Sequence, residues 1–124
     1  MTKLKKTVII GATTNPTRYA SFAAERLQSK GHPIIPLGIK KGESAGKEIL
    51  DLRSRPHLDE VDTVTMYIGT ANQAEWEDYI ISLKPRRIVF NPGTENPTLA
   101  AKAQKEGIEA LNACTLVMLS ADTY

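Results

Sequence analysis

Two loops hold the residue types most suited to gripping a charged ligand. The first, Gly11-Ala12-Thr13-Thr14-Asn15-Pro16-Thr17-Arg18, lies between an apolar β-branched run and a segment of helical spacing. Small residues and backbone N–H groups therefore meet at a helix N-terminus, where unpaired donors and the helix dipole favour an anion. A phosphate or pyrophosphate fits such a loop. It is not a Walker loop, which needs Gly-Lys-Ser/Thr, and Gly11 is its only glycine, so it is not a full G-x-G-x-x-G fingerprint either. Asn15 and Arg18 are its polar candidates; the plain alternative for Arg18 is a solvated side chain in the first helical turn.

The second loop is Gly38-Ile39-Lys40-Lys41. A NAD-binding domain typically places Asp or Glu at this strand end to hold the ribose hydroxyls. Here two cations stand instead, which suits a phosphorylated ribose: the 2′-phosphate of NADP or the 3′-phosphate of coenzyme A. The plain alternative is a pair of lysines on a wet loop. Two further loops close the set. Residues 68–72 follow a β-rich run, and Asn91-Pro92-Gly93-Thr94-Glu95-Asn96 precedes a helix starting at Pro97. The latter offers a second group of anion-binding amides, or simply a Pro-Gly turn followed by an N-cap.

Catalytic groups are harder to assemble. His32 precedes Pro33 at the entry to a strand, on the side of the sheet away from these loops, and His57 lies in an irregular stretch. No Ser/His/Asp constellation forms at the strand ends, and no His/Cys/Asp cluster has metal-ligand spacing. Glu95 is either a general base or a favourable charge beside a helix dipole. Cys114 sits in an apolar run and reads as a buried, inert thiol; its functional alternative is a mixed disulfide with a ligand thiol. Trp76, Met66 and Met118 read as packing.

The elements that must position these loops follow from periodicity. Thr7–Ile10 is a buried strand ending in turn formers. Over 18–30 the residues Tyr19, Phe22, Ala23 and Leu27 recur at helical spacing, with Gly31 as a stop. Residues 33–39 form a second strand despite Pro33 and Pro36. The stretch 40–60 reads as a surface excursion with one short extended piece. Residues 61–68 form a third strand, and a helix follows with Asn72 as N-cap and Glu75 three residues on. Trp76, Tyr79, Ile80 and Leu83 supply its apolar face before Pro85 ends it. Arg87–Phe90, the helix from Pro97 to Gly107 and a fifth strand over 108–111 complete the pattern. Alternating strands and helices with short connections predict a Rossmann-like, doubly wound α/β domain of about five parallel strands, helices on both faces. Ligands of such sheets bind outside the carboxyl ends of the strands, where all four loops lie.

Composition bounds the remaining choices. The 124 residues, 41% hydrophobic and 24% charged, make one domain over 1–124 with no apolar run near the roughly 18 residues of a membrane span. A chain this long buries about two thirds of its unfolded surface and needs no staple. One cysteine cannot form an internal bridge. A net charge of +2 is far from the basic stripe of a nucleic-acid binder, so neither nucleic acid nor membrane is the expected partner. Without a signal-peptide h-region after the first lysines, a cytoplasmic location is expected.

Several separated motifs add a resemblance. Gly11-Ala-Thr with Arg18-Tyr19-Ala20, Gly31-His32, Pro36 with Lys40, Val61-Asp62, Asn91 to Asn96, Gly107-Ile108 and the run from Ala113 to Leu119 resemble, in order, the small bacterial CoA-binding protein family. These proteins are stand-alone relatives of the nucleotide-binding domain of the succinyl-CoA synthetase alpha subunit. The resemblance extends from Lys6 to Leu119. It implies that Gly11, Ala12 and Thr13 face the diphosphate of CoA, with Asn15 in the same loop and Arg18 adding charge, and that Lys40 meets the phosphorylated ribose. Tyr67, Ile68 and Gly69, with Asn72 beyond them, would border the adenine or its ribose. Asn91, Pro92 and Gly93 would wall the pantetheine side. One departure is that many relatives have Asn-Pro-Lys where this chain has Gly38-Ile39-Lys40, which keeps the cation, loses a stiffening proline and predicts lower affinity. The phosphorylated histidine of the synthetases, carried on a separate domain, has no counterpart.

The leading expectation is therefore a non-catalytic module that binds coenzyme A or an acyl-CoA by its phosphorylated ADP portion, to sense it or to deliver it to a larger protein partner, with a homo-oligomer as the other assembly left open. Two rivals remain. A small NADP-dependent reductase would use the same Lys40, and a protein-interaction module with a decayed nucleotide site would use an exposed apolar patch, for which residues 116–119 are a candidate.

Overall fold

The computed structural model describes residues 3–124. Six parallel strands form its main sheet, in the order β5-β2-β1-β6-β7-β8. They are β1 (Thr7–Ile10), β2 (Ile34–Gly38), β5 (Leu50–Asp51), β6 (Thr63–Met66), β7 (Arg87–Phe90) and β8 (Glu109–Asn112). Two further strands, β3 (Glu43–Ser44) and β4 (Lys47–Glu48), make a small antiparallel hairpin. The expected α/β Rossmann-like fold is present, with one strand more than the five expected. The extra one is β5, two residues long, whose Leu50 and Asp51 pair with Leu37 and Gly38 at the sheet edge.

Strand β1 is central because both faces and both edges of it are covered. Its β-branched residues are buried throughout, and it pairs in register with β2 and β6 along its whole length. Alternation divides its side chains between two cores. Val8 and Ile10 join Phe90, Ile88 and Met66 beneath helices α2 (Glu77–Ser82) and α3 (Pro97–Lys105). Ile9 faces the other way, onto Ala24 and Leu27 of α1 (Tyr19–Ser29) and Leu119 of α4 (Thr115–Ser120). Each fully buried aliphatic side chain contributes about 1.5–3 kcal/mol relative to exposure, so a four-residue strand packed on both faces is a strong anchor.

Helix α1 corrects the face read from spacing. Ala20, Ala23, Ala24 and Leu27 are buried, whereas Tyr19 is 71% exposed and Phe22 41% exposed. Small residues let the helix approach the sheet closely, and the two aromatics form an edge-to-face pair on the outer side with centroids 6.1 Å apart. The helix expected after Asn72 also starts later. Residues 70–76 form two single-turn 3₁₀ segments, and Asn72 lies inside the first of them instead of capping α2. Helix α3 begins as its sequence predicts, with Pro97 in the first turn and the Asn96 side chain accepting from the Leu99 N–H at 3.1 Å.

Buried polar groups tie these layers together. Gln73 Nε2 donates to the carbonyls of Ile68 and Thr94, and Asn96 Nδ2 donates to Gln73 Oε1 and Glu77 Oε2. Glu77 is closed off by Lys102 at 2.9 Å. Burial would raise its carboxyl, but hydrogen bonds from Asn96 and Lys102 and the charge of Lys102 outweigh this and hold it below the usual range.

The amino ends of the strands are sealed by side chains. Tyr124 Oη lies 2.6 Å from Thr7 Oγ1. The Arg87 guanidinium sits 4.4 Å over the Tyr124 ring and donates from Nε to Thr63 Oγ1. His32, as the sequence predicts, belongs to this end: it is buried, its Nδ1 accepts from the Lys5 N–H at 2.9 Å, and its ring lies 5.0 Å from that of Tyr124. No helix among the described residues is long and apolar enough to cross a membrane.

Candidate functional site

The chain leaves β1 towards β2 on one side and later returns to place β6 on the other. The crevice between those two directions, at the carboxyl ends of β1, β2 and β6, is where a doubly wound sheet offers space to a ligand. Two glycines shape it. Gly11 has φ +98°, and a Cβ there would stand 2.9 Å from the Tyr67 carbonyl carbon. Gly38, the last residue of β2, leaves so little room that a Cβ would lie 2.5 Å from the Ala12 carbonyl oxygen. The first loop thus passes over the β2 end and beside the β6 end at backbone contact, which side chains would prevent.

This crossing corrects one expectation. The N–H groups of Gly11 and Ala12 are not free for an anion, because both donate to the Leu37 carbonyl at 2.9 Å. The donors left over are those of Thr13 and Thr14, which have no acceptor among the described residues, together with the first turn of α1. Asn15 serves the loop itself: its Oδ1 accepts from the Thr17 N–H and hydroxyl, while its own N–H goes to Thr13 Oγ1. Ser21, on the first turn of α1, donates to the Asn15 carbonyl at 2.7 Å and fixes the loop to the helix.

The crevice consists of two adjoining recesses of about 420 and 750 Å³, which share Gly11, Thr13 and Lys40. The smaller is walled by Ile39, Leu52, Ile68 and Trp76, with Asn72 and Glu75 as its polar rim. The larger runs from Asn15 and Arg18 past Tyr67 and Gly69 to Pro92, Gly93 and Thr94. Lys40 and Arg18 are exposed and form no ion pair among the described residues. Arg53, by contrast, is neutralised by Asp51 at 3.0 Å. Hydrogen bonds from Arg53 hold the Asp51 carboxyl below its usual range.

Twelve of the thirteen residues singled out from sequence, all but Asn91, line one recess or the other. Asn91 is buried and fully engaged behind the wall. Its Nδ2 donates to Thr65 Oγ1 and the Met66 carbonyl, and its Oδ1 accepts from the Thr115 N–H at 2.8 Å. It therefore fastens β6, β7 and α4 to one another and holds Pro92 and Gly93 in place. Glu95 has a similar loop role, accepting from the Gly93 N–H at 3.0 Å. Tyr67 is half-buried in the larger recess, and burial pushes its phenol up to about 12, against hydrogen bonding with Thr115 and Thr65. At neutral pH it holds its proton and can only donate or accept a hydrogen bond.

Sequence reasoning missed Leu52, Trp76 and Glu75 as crevice residues. Leu52 follows directly on β5 and Trp76 lies in the 3₁₀ turn before α2, and both are at once core and wall. The Trp76 ring carries the Arg55 guanidinium at 4.7 Å. Among the described residues, no three His, Cys, Asp or Glu side chains are grouped to hold a metal.

Residues 5–120 match the family model described as a CoA binding domain. The chain belongs to the CoA-binding domain family. The family's fold recurs in solved structures. A crystal structure of an uncharacterised protein is 54% identical, covers 99% of this chain and 100% of its own, and superposes with a TM-score of 0.95. Prb, a protein redesigned for binding, shares 19% identity over 98% of this chain and 84% of its own, with a TM-score of 0.85. A hypothetical protein from Pyrococcus horikoshii OT3 shares 21% over 96% and 84%, with a TM-score of 0.83. The last two show the fold alone. No curated protein matches the chain. Membership of the CoA-binding domain family implies a small-molecule ligand and agrees with the family resemblance read from the separated motifs.

Proposed function

We propose that the crevice binds coenzyme A or an acyl-CoA through its phosphorylated ADP portion and holds it without transforming it. The observation that carries this reading is Lys40, an exposed cation without an ion-pair partner among the described residues, at the β2 end where both recesses meet. A carboxylate at that strand end would suit a ribose diol; an ammonium suits a ribose phosphate. The adenine fits the smaller recess, between Ile39 and Leu52 on one side and Ile68 and Trp76 on the other, with Asn72 and Glu75 able to reach its exocyclic amine. The diphosphate then lies over the free N–H groups of Thr13 and Thr14, at the N-terminus of α1, with Arg18 beside it. The pantetheine arm leaves along Tyr67, Pro92 and Gly93. A holding role is favoured because Tyr67 keeps its proton at neutral pH and His32 lies at the opposite end of the sheet, away from the path.

Calorimetric titration with CoA, 3′-dephospho-CoA and NADPH at one salt concentration tests the reading. CoA is expected to bind about tenfold more tightly than the dephospho form, since a charge-assisted contact is worth about 1.5 kcal/mol. Lys40→Gln removes that difference while leaving dephospho-CoA binding nearly unchanged. Equal affinity for the two CoA forms, or tighter binding of NADPH, overturns it.

A further inference from the structure

The stretch 42–60 carries none of the motifs that resemble the CoA-binding family, yet it delivers a cation to the end of β2. Strand β5 lays Leu50 and Asp51 against Leu37 and Gly38, and a single 3₁₀ turn, Leu52–Ser54, follows at once. Asp51 starts that turn, its Oδ1 accepting from the Arg53 N–H at 2.9 Å. Carboxylates suit such an N-cap, which satisfies a main-chain donor left over at the start of the turn. Leu52, between the two residues, walls the smaller recess.

The Arg53 side chain is gripped by one edge of its guanidinium. Nε donates to Asp51 Oδ1 at 3.0 Å and Nη2 to Asp51 Oδ2 at 3.4 Å. On the other edge, Nη2 reaches the Ile39 carbonyl at 3.4 Å, a long contact, and Nη1 has no acceptor among the described residues. The guanidinium is a rigid fork of five donors. Holding its Nε edge on Asp51 therefore also sets where the Nη1 and Nη2 edge stands. Ile39 and Lys40 both border the smaller recess, so that edge lies one residue along the chain from the cation on which the CoA reading depends. The Asp51 pair is exposed and adds little to stability; its effect is orientation.

We propose that Arg53 is a further specificity-determining residue for the phosphorylated ribose, its Nη1 and Nη2 edge taking two oxygens of the phosphate that Lys40 meets. Asp51 holds the opposite edge and acts as a positioning residue. A phosphate monoester carries about 1.5 to 2 negative charges at neutral pH and offers three acceptor oxygens, more than one ammonium satisfies. Lys40 supplies a point charge, whereas a guanidinium edge matches two phosphate oxygens in parallel. One of those oxygens takes the place of the Ile39 carbonyl on Nη2, and Ile39, being exposed, turns that carbonyl to water. The inference rests on the CoA reading of the crevice and adds to it a residue outside the family-like motifs.

The test compares CoA with 3′-dephospho-CoA by calorimetric titration of the native protein, Arg53→Gln and Arg86→Gln. Arg86 is an exposed arginine before β7, at the amino ends of the strands, paired with Asp62, and serves as a control for charge alone. In Arg53→Gln the preference for CoA should narrow from about tenfold to about twofold, with dephospho-CoA bound as before. Two cations on one phosphate are not additive, so this loss and that of Lys40→Gln should overlap. The Arg53 Nε–H resonance, identified by its absence from Arg53→Gln, should shift saturably with CoA and stay in place with the dephospho form. If the native protein binds both forms equally, the CoA reading falls and this inference with it. If the native protein prefers CoA and Arg53→Gln keeps the full preference, weakens both forms alike, or is matched by Arg86→Gln, the role of Arg53 alone is overturned.

Discussion

At the carboxyl ends of β1 and β2 the main chain itself comes into contact, Gly38 beneath the Ala12 carbonyl and Gly11 against Tyr67, and side chains withdraw to leave free N–H groups and solvated cations. At the amino ends the reverse holds. There Tyr124, Arg87, Thr63, Thr7 and His32 fill the space between the strand ends with packed rings and paired hydroxyls. The difference shows that one short strand can serve two tasks. Thr7–Ile10 is gripped at its start by side-chain packing and at its end presents a surface that has been cleared of side chains.

Substitutions should separate the two ends. The largest effect is expected at Gly38→Val, where a Cβ cannot clear the Ala12 carbonyl oxygen. It should lower the stability measured by urea unfolding by about 3 kcal/mol, as overpacking of a rigid site does, and abolish CoA binding even where the protein remains folded. Asn91→Ala comes next. Three hydrogen bonds to buried partners are lost, and about 2–3 kcal/mol of destabilisation in the same measurement is expected. A loss of CoA affinity without loss of stability would show that Asn91 touches the ligand directly instead of supporting the wall. Tyr124→Phe removes the hydroxyl contact with Thr7 and should cost about 1 kcal/mol while leaving CoA affinity unchanged. If it weakened CoA binding as much as Lys40→Gln does, the two ends would be coupled and the comparison would fail.

The smallest effect is a pH slope. His32 has its folded-state midpoint below the ordinary 6.5, so between the two midpoints the unfolded chain binds more protons than the folded one. Stability is then full above about pH 6.5 and falls as the pH drops from there towards the folded midpoint, below which the slope from this group ends. Urea unfolding at closely spaced pH values should show that decline in the native protein and a flatter profile in His32→Asn. Glu77 adds a separate loss at lower pH. Its folded midpoint is depressed, so its contribution is present above the ordinary carboxylate range and disappears as the pH falls through the depressed value.

Much of this architecture is visible in local pattern. Thr7–Ile10 and Arg87–Phe90 coincide with their predicted bounds because short β-branched or apolar runs between turn formers leave few alternatives. Strand β5 is legible only as a short extended piece and not as a sixth strand, because Leu50-Asp51 is too short to show alternation and joins the sheet only through its register with Leu37 and Gly38. On α1, the spacing of Tyr19 and Phe22 competes with that of Ala20, Ala23, Ala24 and Leu27; close packing selected the smaller residues. The candidate crevice was legible as a set of loops, since strand-end position follows from topology. Which amides remain free was not legible, because the Leu37 carbonyl that takes Gly11 and Ala12 comes from a different strand. Asn91 looked like a loop residue for the same reason: its partners Thr65, Met66 and Thr115 are distant in the chain.

The place of β1 between β2 and β6 also sets a clock. Half of its hydrogen-bonding capacity waits for a partner that begins only at Thr63. At about 5–20 residues per second of synthesis, that edge stays open for roughly 3–10 s. During this interval Thr7–Ile10, the most apolar short strand at the start of the chain, offers a bare template to any extended segment nearby. Substitutions that delay β6, more than those that loosen the crevice, are therefore the ones expected to reduce soluble yield.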